Sequence, residues 1–183
     1  MANLNAPFGF SPVIYGTSGN NNQQQRVYYI PSTDTSAYYI GDTVYTVDGG
    51  DASGTPAIAK CATGGTPRGV VTSILINNPI NPSIQGTNLD LTTTSVPASK
   101  SQAYYLLIND DPDQVFMIQG DGTTFATTDV NKNASYTVAA PSISNQMSAT
   151  VLTGTTTSST AALKIVGIEP IPGNNLEIGR AHV

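Results

Sequence analysis

Short runs of β-branched and aromatic residues, separated by glycine, proline, asparagine and aspartate, dominate this sequence and constrain its fold more than any other feature. Such spacing favours strands of a few residues, and a helical period of apolar residues is nearly absent. We predict strands over residues 26–30, 43–47, 57–62, 69–76, 103–108, 114–119, 135–139, 149–153, 163–168 and 176–183. This many short strands predicts an all-β chain that forms a single-domain β-barrel or a jelly-roll-like sandwich.

The first segment outside this pattern is the N-terminal stretch of residues 1–12. Pro7 and Pro12 do not suit a central strand of a sheet, because proline has no N–H to donate to the ladder. We therefore interpret the stretch as an extended arm. Phe8 and Phe10 are either anchors for a partner or plugs for the end of this chain's own barrel, and the sequence leaves both alternatives open.

The second segment is a long loop over residues 77–101 within the β domain that we assign to residues 13–183. It holds Pro79, Pro82 and Pro97 among asparagine, threonine and serine. Loops of this length in compact domains are usually functional or disordered. The loop is therefore our second candidate for partner contacts.

Several predicted strands carry apolar residues on both faces, notably within residues 70–76, 104–108 and 115–118. A strand of this kind is covered on each side. The cover is either an overlying loop of the same chain or a second subunit, and the pattern does not choose between them.

Charged residues make up only 10% of the chain, and 12 acidic against 7 basic residues give a net charge of −5. The basic residues are scattered, so a phosphate-binding footprint is not expected and nucleic acid is excluded as a partner. No run approaches the ~18 apolar residues of a membrane span, and the start of the chain does not resemble a signal peptide. We expect a soluble protein that is not exported and does not bind a membrane.

Residues that carry chemistry are few, and each has a structural interpretation. His182 is the only histidine and falls on the polar face of a predicted strand, and Cys61 is the only cysteine and is predicted to be a buried apolar residue. The acidic run of residues 109–113 lacks the glycine and the closing glutamate of a calcium-binding loop, so we interpret it as a turn. We predict no enzymatic activity, no cofactor and no metal.

Three tyrosine doublets, at residues 28–29, 38–39 and 104–105, give the chain a possible sugar-stacking surface. Adjacent strand residues point to opposite faces, so each doublet is expected to place one ring inside and one outside. A carbohydrate- or receptor-binding β module is therefore the alternative function.

The order of several motifs resembles the structural cement, or head decoration, proteins of tailed bacteriophages. The motifs are Ala6-Pro-Phe-Gly-Phe-Ser-Pro-Val13, Arg26-Val-Tyr-Tyr-Ile-Pro31, Ile40-Gly-Asp-Thr-Val44, Asp48-Gly49, Arg68-Gly-Val70, Asp110-Asp-Pro112, Val115-Phe-Met-Ile-Gln119, Asp121-Gly122, Asp129-Val-Asn-Lys-Asn-Ala134 and Leu163-Lys-Ile-Val-Gly-Ile168. The resemblance spans most of the chain. One departure is Ser95-Val-Pro-Ala98, which stands where relatives often carry a tryptophan.

The resemblance implies a barrel or jelly-roll body that decorates the virion capsid surface, after synthesis in the cytoplasm of the host bacterium. Its implied partners are the major capsid protein, whose neighbouring subunits it would bridge, and itself, as a homodimer or homotrimer. The expected capsid contacts lie in the arm and the long loop, at Asn3, Asn5, Pro7, Phe8, Phe10, Pro79, Pro82, Val96 and Pro97.

Overall fold

The chain folds into strands wherever short apolar runs alternate with turn residues, and the fold is all-β as predicted. The computed structural model describes residues 5–13, 24–75, 94–122, 125–141, 146–157, 160–169 and 180–182. Its strands are β1 (Ser11–Val13), β2 (Gln25–Ile30), β3 (Tyr38–Tyr39), β4 (Thr43–Gly50), β5 (Pro56–Lys60), β6 (Gly69–Leu75), β7 (Ser95–Val96), β8 (Tyr104–Asn109), β9 (Val115–Gln119), β10 (Asn133–Thr137), β11 (Val151–Thr157), β12 (Leu163–Lys164), β13 (Gly167–Ile168) and β14 (Arg180–His182). The only helical element in these ranges is a 3-10 turn at Thr127–Asp129.

Five strands close into a barrel in the order β2-β5-β4-β6-β8. Neighbouring strands are antiparallel except β2 and β5, which run parallel and share one register pair, Tyr29 with Ala57. Alternate residues point inward and form a core of Tyr28, Ile30, Val44, Ile58, Val71, Ile74, Leu106 and Ile108. Each aliphatic side chain buried there stabilises the fold by roughly 1.5–3 kcal/mol, so the barrel is held mainly by its interior.

The short strands β3 and β7 pair with each other beside the barrel. Their register joins Tyr38 to Val96 and Tyr39 to Ser95. The side chains of Tyr38 and Val96 are fully buried in the barrel core cluster. This small sheet therefore ties the described end of the long loop to the barrel.

A second core lies where two further sheets, β1-β9-β14-β13 and β11-β10-β12, pack beside the barrel. Val70 of the barrel wall and Ile118 of β9 belong to this cluster, whereas Val71 points into the barrel. Apolar residues on both faces of β6 are thus explained at Val70 by a cover from the same chain. At this position the cover comes from the same chain, which is one of the two alternatives that the sequence left open.

Three strands were not predicted, and several boundaries differ. β3 and β7 have two residues each, too short to show a period, and β1 contains Pro12, which is tolerated because β1 is at the edge of its sheet. The single strand predicted over residues 163–168 is wrong, because two separate two-residue strands, β12 and β13, occupy it. Residues 176–179 of the last predicted strand lie outside the described residues.

Candidate functional site

Both predicted contact segments meet at one turn, residues 38–42, which we call the junction turn. On one side, β7 pairs with β3 and places Ser95 opposite Tyr39. On the other side, the Phe10 N–H donates to the Gly41 carbonyl at 2.9 Å. The described end of the long loop and the N-terminal segment are therefore mounted on the same few residues.

Two glycines permit the close approach of the N-terminal segment to the junction turn. Gly9 has φ +72° and Gly41 has φ +91°, values that favour glycine. A Cβ on Gly9 would lie 2.5 Å from the Gly41 oxygen, and a Cβ on Gly41 would lie 2.5 Å from the Phe8 oxygen. Backbone packs directly on backbone, which holds the segment against the junction turn.

The start of the described segment is held by the side chain of Gln119 in β9. Gln119 is 2% exposed, and its Nε2 donates to the Asn5 Oδ1 at 2.8 Å. Its Oε1 accepts the Ala6 N–H at 3.3 Å. The buried side-chain amide of Gln119 thus donates one hydrogen bond to Asn5 and accepts one from Ala6. These two bonds hold the described start of the segment against β9.

The nine predicted contact residues divide into exposed, half-buried and buried groups. Asn5 and Pro97 are exposed, and Pro7 and Phe8 are half-buried. Phe10 and Val96 are buried. The others, Asn3, Pro79 and Pro82, lie outside the described residues.

Phe10 packs inside its own chain rather than pointing to solvent. Its ring is 3% exposed and makes edge contacts with Phe116 and Tyr136, at centroid distances of 6.2 Å and 5.5 Å. Phe10 therefore packs within its own chain, but in the second core and not at the end of the barrel, where the alternative to a partner anchor had placed it. Val96 is likewise buried in the barrel core. The next residue, Pro97, is exposed.

A buried carboxylate beneath the junction turn is the feature that the sequence did not reveal. Asp42 is 0% exposed, and its Oδ2 accepts from Lys60 Nζ at 2.7 Å and from the Tyr39 N–H at 2.9 Å. Its Oδ1 accepts from Ser148 Oγ at 2.6 Å. Lys60 also donates to the Ala37 carbonyl at 3.1 Å. The Asp42 side chain thereby joins the junction turn to the end of β5 and to the segment that contains Ser148.

Cys61 lies in the second core and is buried, as predicted. Burial raises the pKa of its thiol, and the hydroxyl groups of Tyr136 and Thr43 only partly oppose that effect. Tyr136 donates to the Gly65 carbonyl at 2.8 Å and accepts from Thr43 Oγ1 at 3.2 Å. The thiol, the phenol and the threonine form a packed polar contact within the core.

The acidic run forms the predicted turn. The Asp111 carboxylate accepts the Asp113 N–H at 3.0 Å, and the Asp111 carbonyl accepts the Gln114 N–H at 3.2 Å. Within the described ranges, no group of three or more histidine, cysteine or acidic side chains could hold a metal ion. Asp129 accepts the Ala126 N–H at 2.8 Å and so fixes the start of the 3-10 turn.

The tyrosine doublets split as expected in two of three cases. Tyr28 and Tyr38 are buried, whereas Tyr29 and Tyr39 are half-buried. In the third doublet both rings are half-buried. The outer face of the barrel therefore carries aromatic surface on β2 and β8.

Comparison with known proteins identifies no relative of this chain. No protein-family model, curated protein or solved structure matches it. Across the residues that the structure describes, no helix is long and apolar enough to cross a membrane.

Proposed function

We propose that this chain is a non-enzymatic structural protein of a tailed-phage virion, which binds the outside of the capsid and bridges major capsid protein subunits. It acts as a homodimer or homotrimer on the capsid surface after synthesis in the host bacterial cytoplasm. The order of the motifs described above supports this proposal. The observation that carries it is the meeting of the two contact segments at the junction turn.

The mounting of these segments suits a bridging role. Asn5, Pro97 and the half-buried Phe8 are presented by backbone that is already fixed by hydrogen bonds and close packing. A surface that is ordered before binding loses less conformational entropy on binding. More of the contact energy is then available to hold neighbouring capsid subunits together.

Clamping of this kind needs no catalysis. A protein that binds only the assembled shell stabilises the shell by mass action, and many copies that each touch two subunits add by avidity. The low charge and the short polar side chains of the chain suit dense packing on such a surface.

The test is to mix the purified protein with emptied, expanded heads of the parent phage and to sediment the mixture. We expect saturable binding in a fixed ratio to capsid subunits. If the protein stays in the supernatant at micromolar concentration while the shells are intact, the proposal fails.

Phe8→Ala tests the arm directly, with Tyr45→Ala as the matched control because Tyr45 is the large exposed aromatic of the described residues, at 43%. Removing an aromatic anchor worth about 2 kcal/mol weakens binding roughly 30-fold. The Tyr45 variant is expected to bind normally. Equal binding by both variants, with both folded by thermal melting, would contradict the role of Phe8.

A carbohydrate- or receptor-binding module is the second candidate, and the outer barrel face supports it. The rings of Tyr29 and Tyr105 lie with centroids 5.6 Å apart and 49° between their planes. The Tyr105 hydroxyl donates to Asp51 Oδ2 at 2.8 Å, which fixes one ring of the pair. A glycan array tests this function: saccharide binding that Tyr29→Ala abolishes would favour it, and an empty array would remove it.

A further inference from the structure

Two aspartate-glycine dipeptides lie on the surface of the described structure. Asp48-Gly49 belongs to β4 and Asp121-Gly122 follows β9, and all four residues are exposed. Glycine after an aspartate leaves the backbone nitrogen open to the side-chain carboxyl, because glycine has no Cβ to hinder the approach. Attack by that nitrogen closes a five-membered ring. Whether either dipeptide reacts in the native protein therefore depends on what holds it in the fold.

The two glycines themselves do not distinguish the dipeptides. Gly49 has φ +100° and Gly122 has φ +93°, and a Cβ added to either glycine would meet no atom within 4 Å. Both positions thus have the same region of backbone conformation and open space around the nitrogen. The difference between the dipeptides lies in the backbone pairing and in the carboxylate.

Asp48 lies where β4 leaves the register of the barrel. The register of β4 with β5 is interrupted between Thr46 and Gly50, and β6 pairs with β4 only at residues 43–44. Asp48 and Gly49 therefore have no register partner on either side. A bulge leaves its extra residues outside the ladder, so rotation there breaks no register pair.

The Asp48 carboxylate makes no hydrogen bond or ion pair with any residue that the structure describes. The loop beside it is organised by Asp51 instead. Asp51 Oδ1 accepts the Ser53 N–H at 2.9 Å and the Thr55 N–H at 2.8 Å, and its Oδ2 accepts the Tyr105 hydroxyl at 2.8 Å. The Asp48 side chain is thus left to rotate toward the next backbone nitrogen.

Asp121 is held on both its backbone and its side chain. Its Oδ2 accepts the Gly154 N–H at 3.1 Å, and its own N–H donates to the Leu152 carbonyl at 3.0 Å. Attack by the Gly122 nitrogen requires this carboxylate to turn away from Gly154 and lose a hydrogen bond to a charged group. The same dipeptide is therefore protected at Asp121 and unprotected at Asp48.

We propose that Asp48 is a site of spontaneous modification, at which the Gly49 nitrogen attacks the Asp48 carboxyl and forms a cyclic succinimide. The bond from Gly49 N to Asp48 Cγ forms and one Cγ–O bond breaks. The amide proton and the carboxyl OH leave together as one water. Water then opens the ring: attack at Cγ restores aspartate, and attack at the main-chain carbonyl gives isoaspartate, in which the chain runs through Cγ. The inference does not depend on the proposed function.

The experiment follows both dipeptides in the same full chain. The protein is kept for several weeks at neutral pH and physiological temperature and is then digested with trypsin, which places Asp48 in the peptide of residues 27–60 and Asp121 in that of residues 101–132. Mass spectrometry detects the succinimide as the loss of one water. Isoaspartate appears as a peptide of unchanged mass and altered retention that the aspartate-specific protease Asp-N no longer cuts before the modified residue.

We expect Asp48 to be modified roughly tenfold faster than Asp121, because Asp121 must first break its hydrogen bond. A parallel incubation in guanidinium chloride removes the fold, and the two aspartates should then react at similar rates. Asp48→Ser is expected to melt like the wild-type protein, to abolish the modification in residues 27–60 and to leave residues 101–132 unchanged.

The inference is wrong if the ratio of the two rates is the same in the folded and the unfolded chain. It is also wrong if Asp48 stays unmodified in the folded protein over a period in which the unfolded chain reacts. Modification of residues 27–60 that persists in Asp48→Ser would assign the reaction to another aspartate and overturn it as well.

Discussion

Replacing Lys60 with methionine tests whether the buried ion pair beneath the junction turn holds the fold together. The variant keeps the length of the side chain and removes its charge, which leaves the Asp42 carboxylate at 0% exposure without its cation. Breaking a buried pair by removing one partner costs about 3–5 kcal/mol. Lys60 is 16% exposed, and Asp42 retains the donors from Tyr39 and Ser148, so the lower end applies.

We therefore expect Lys60→Met to lower the free energy of unfolding by about 3 kcal/mol and the Tm by roughly 6–12 °C for a chain of this size. Urea unfolding followed by circular dichroism measures the change, with an unchanged m-value as evidence that the unfolded state is the same. The control is Lys132→Met, which removes an exposed lysine from a pair three residues apart and should cost less than about 1 kcal/mol.

A double variant separates the pair from its surroundings. Asp42→Asn combined with Lys60→Met removes both charges, so its loss of stability should be smaller than the sum of the two single losses. The reasoning is refuted if Lys60→Met is no more destabilising than Lys132→Met, or if the two single losses add fully in the double variant.

Three further predictions concern the cores and the β4–β5 connection. Phe10→Ala should lower the free energy of unfolding by about 3–5 kcal/mol in urea titrations, and a loss below about 1 kcal/mol would contradict its place in the core. Cys61 should react with a thiol reagent only after unfolding in urea, so a fast reaction of the native protein would count against its burial. The pKa of Asp51 is lowered: burial acts to raise it, but hydrogen bonds from Thr55, Tyr105 and Ser53 together outweigh that effect. Because water screens the Asp51 carboxylate, Tyr105→Phe should cost less than about 1 kcal/mol above pH 5, and the cost should vanish as the pH falls below the unfolded-state pKa of 3.8 through the lower folded-state value. A cost that is the same at pH 2 and pH 7 would contradict this assignment.

Strands with a clear period were predictable, and those fixed by tertiary pairing were not. β2 and β8 were placed within a residue or two, because β-branched and aromatic residues fill both. β10 begins two residues before the predicted start, and β11 extends four residues beyond the predicted end. Asn133 and Gly154 belong to residue types that are depleted in strands, so the local pattern does not place these ends and the pairing of β10 with β11 does.

The candidate site was likewise predictable only in part. The sequence identified the N-terminal segment and the long loop from their prolines and their lack of period, but not that both would be mounted on residues 38–42. Asp42 resembles an ordinary turn residue after Gly41, and its partners Lys60 and Ser148 lie 18 and 106 positions away. Local pattern carries no signal for a contact of that range, which exists only after the barrel has closed.

The barrel closes between β2 and β5, which share a single parallel register pair, and this seam is the weakest line of backbone pairing in the barrel. β2 stays joined to β8 over six register pairs, whereas it meets β5 only where Tyr29 faces Ala57. Opening between β2 and β5 therefore breaks fewer register pairs than opening at any other seam of the barrel, and we expect local opening to begin there. The ion pair between Lys60 and Asp42 lies at the end of β5 and so anchors one side of this line to the junction turn.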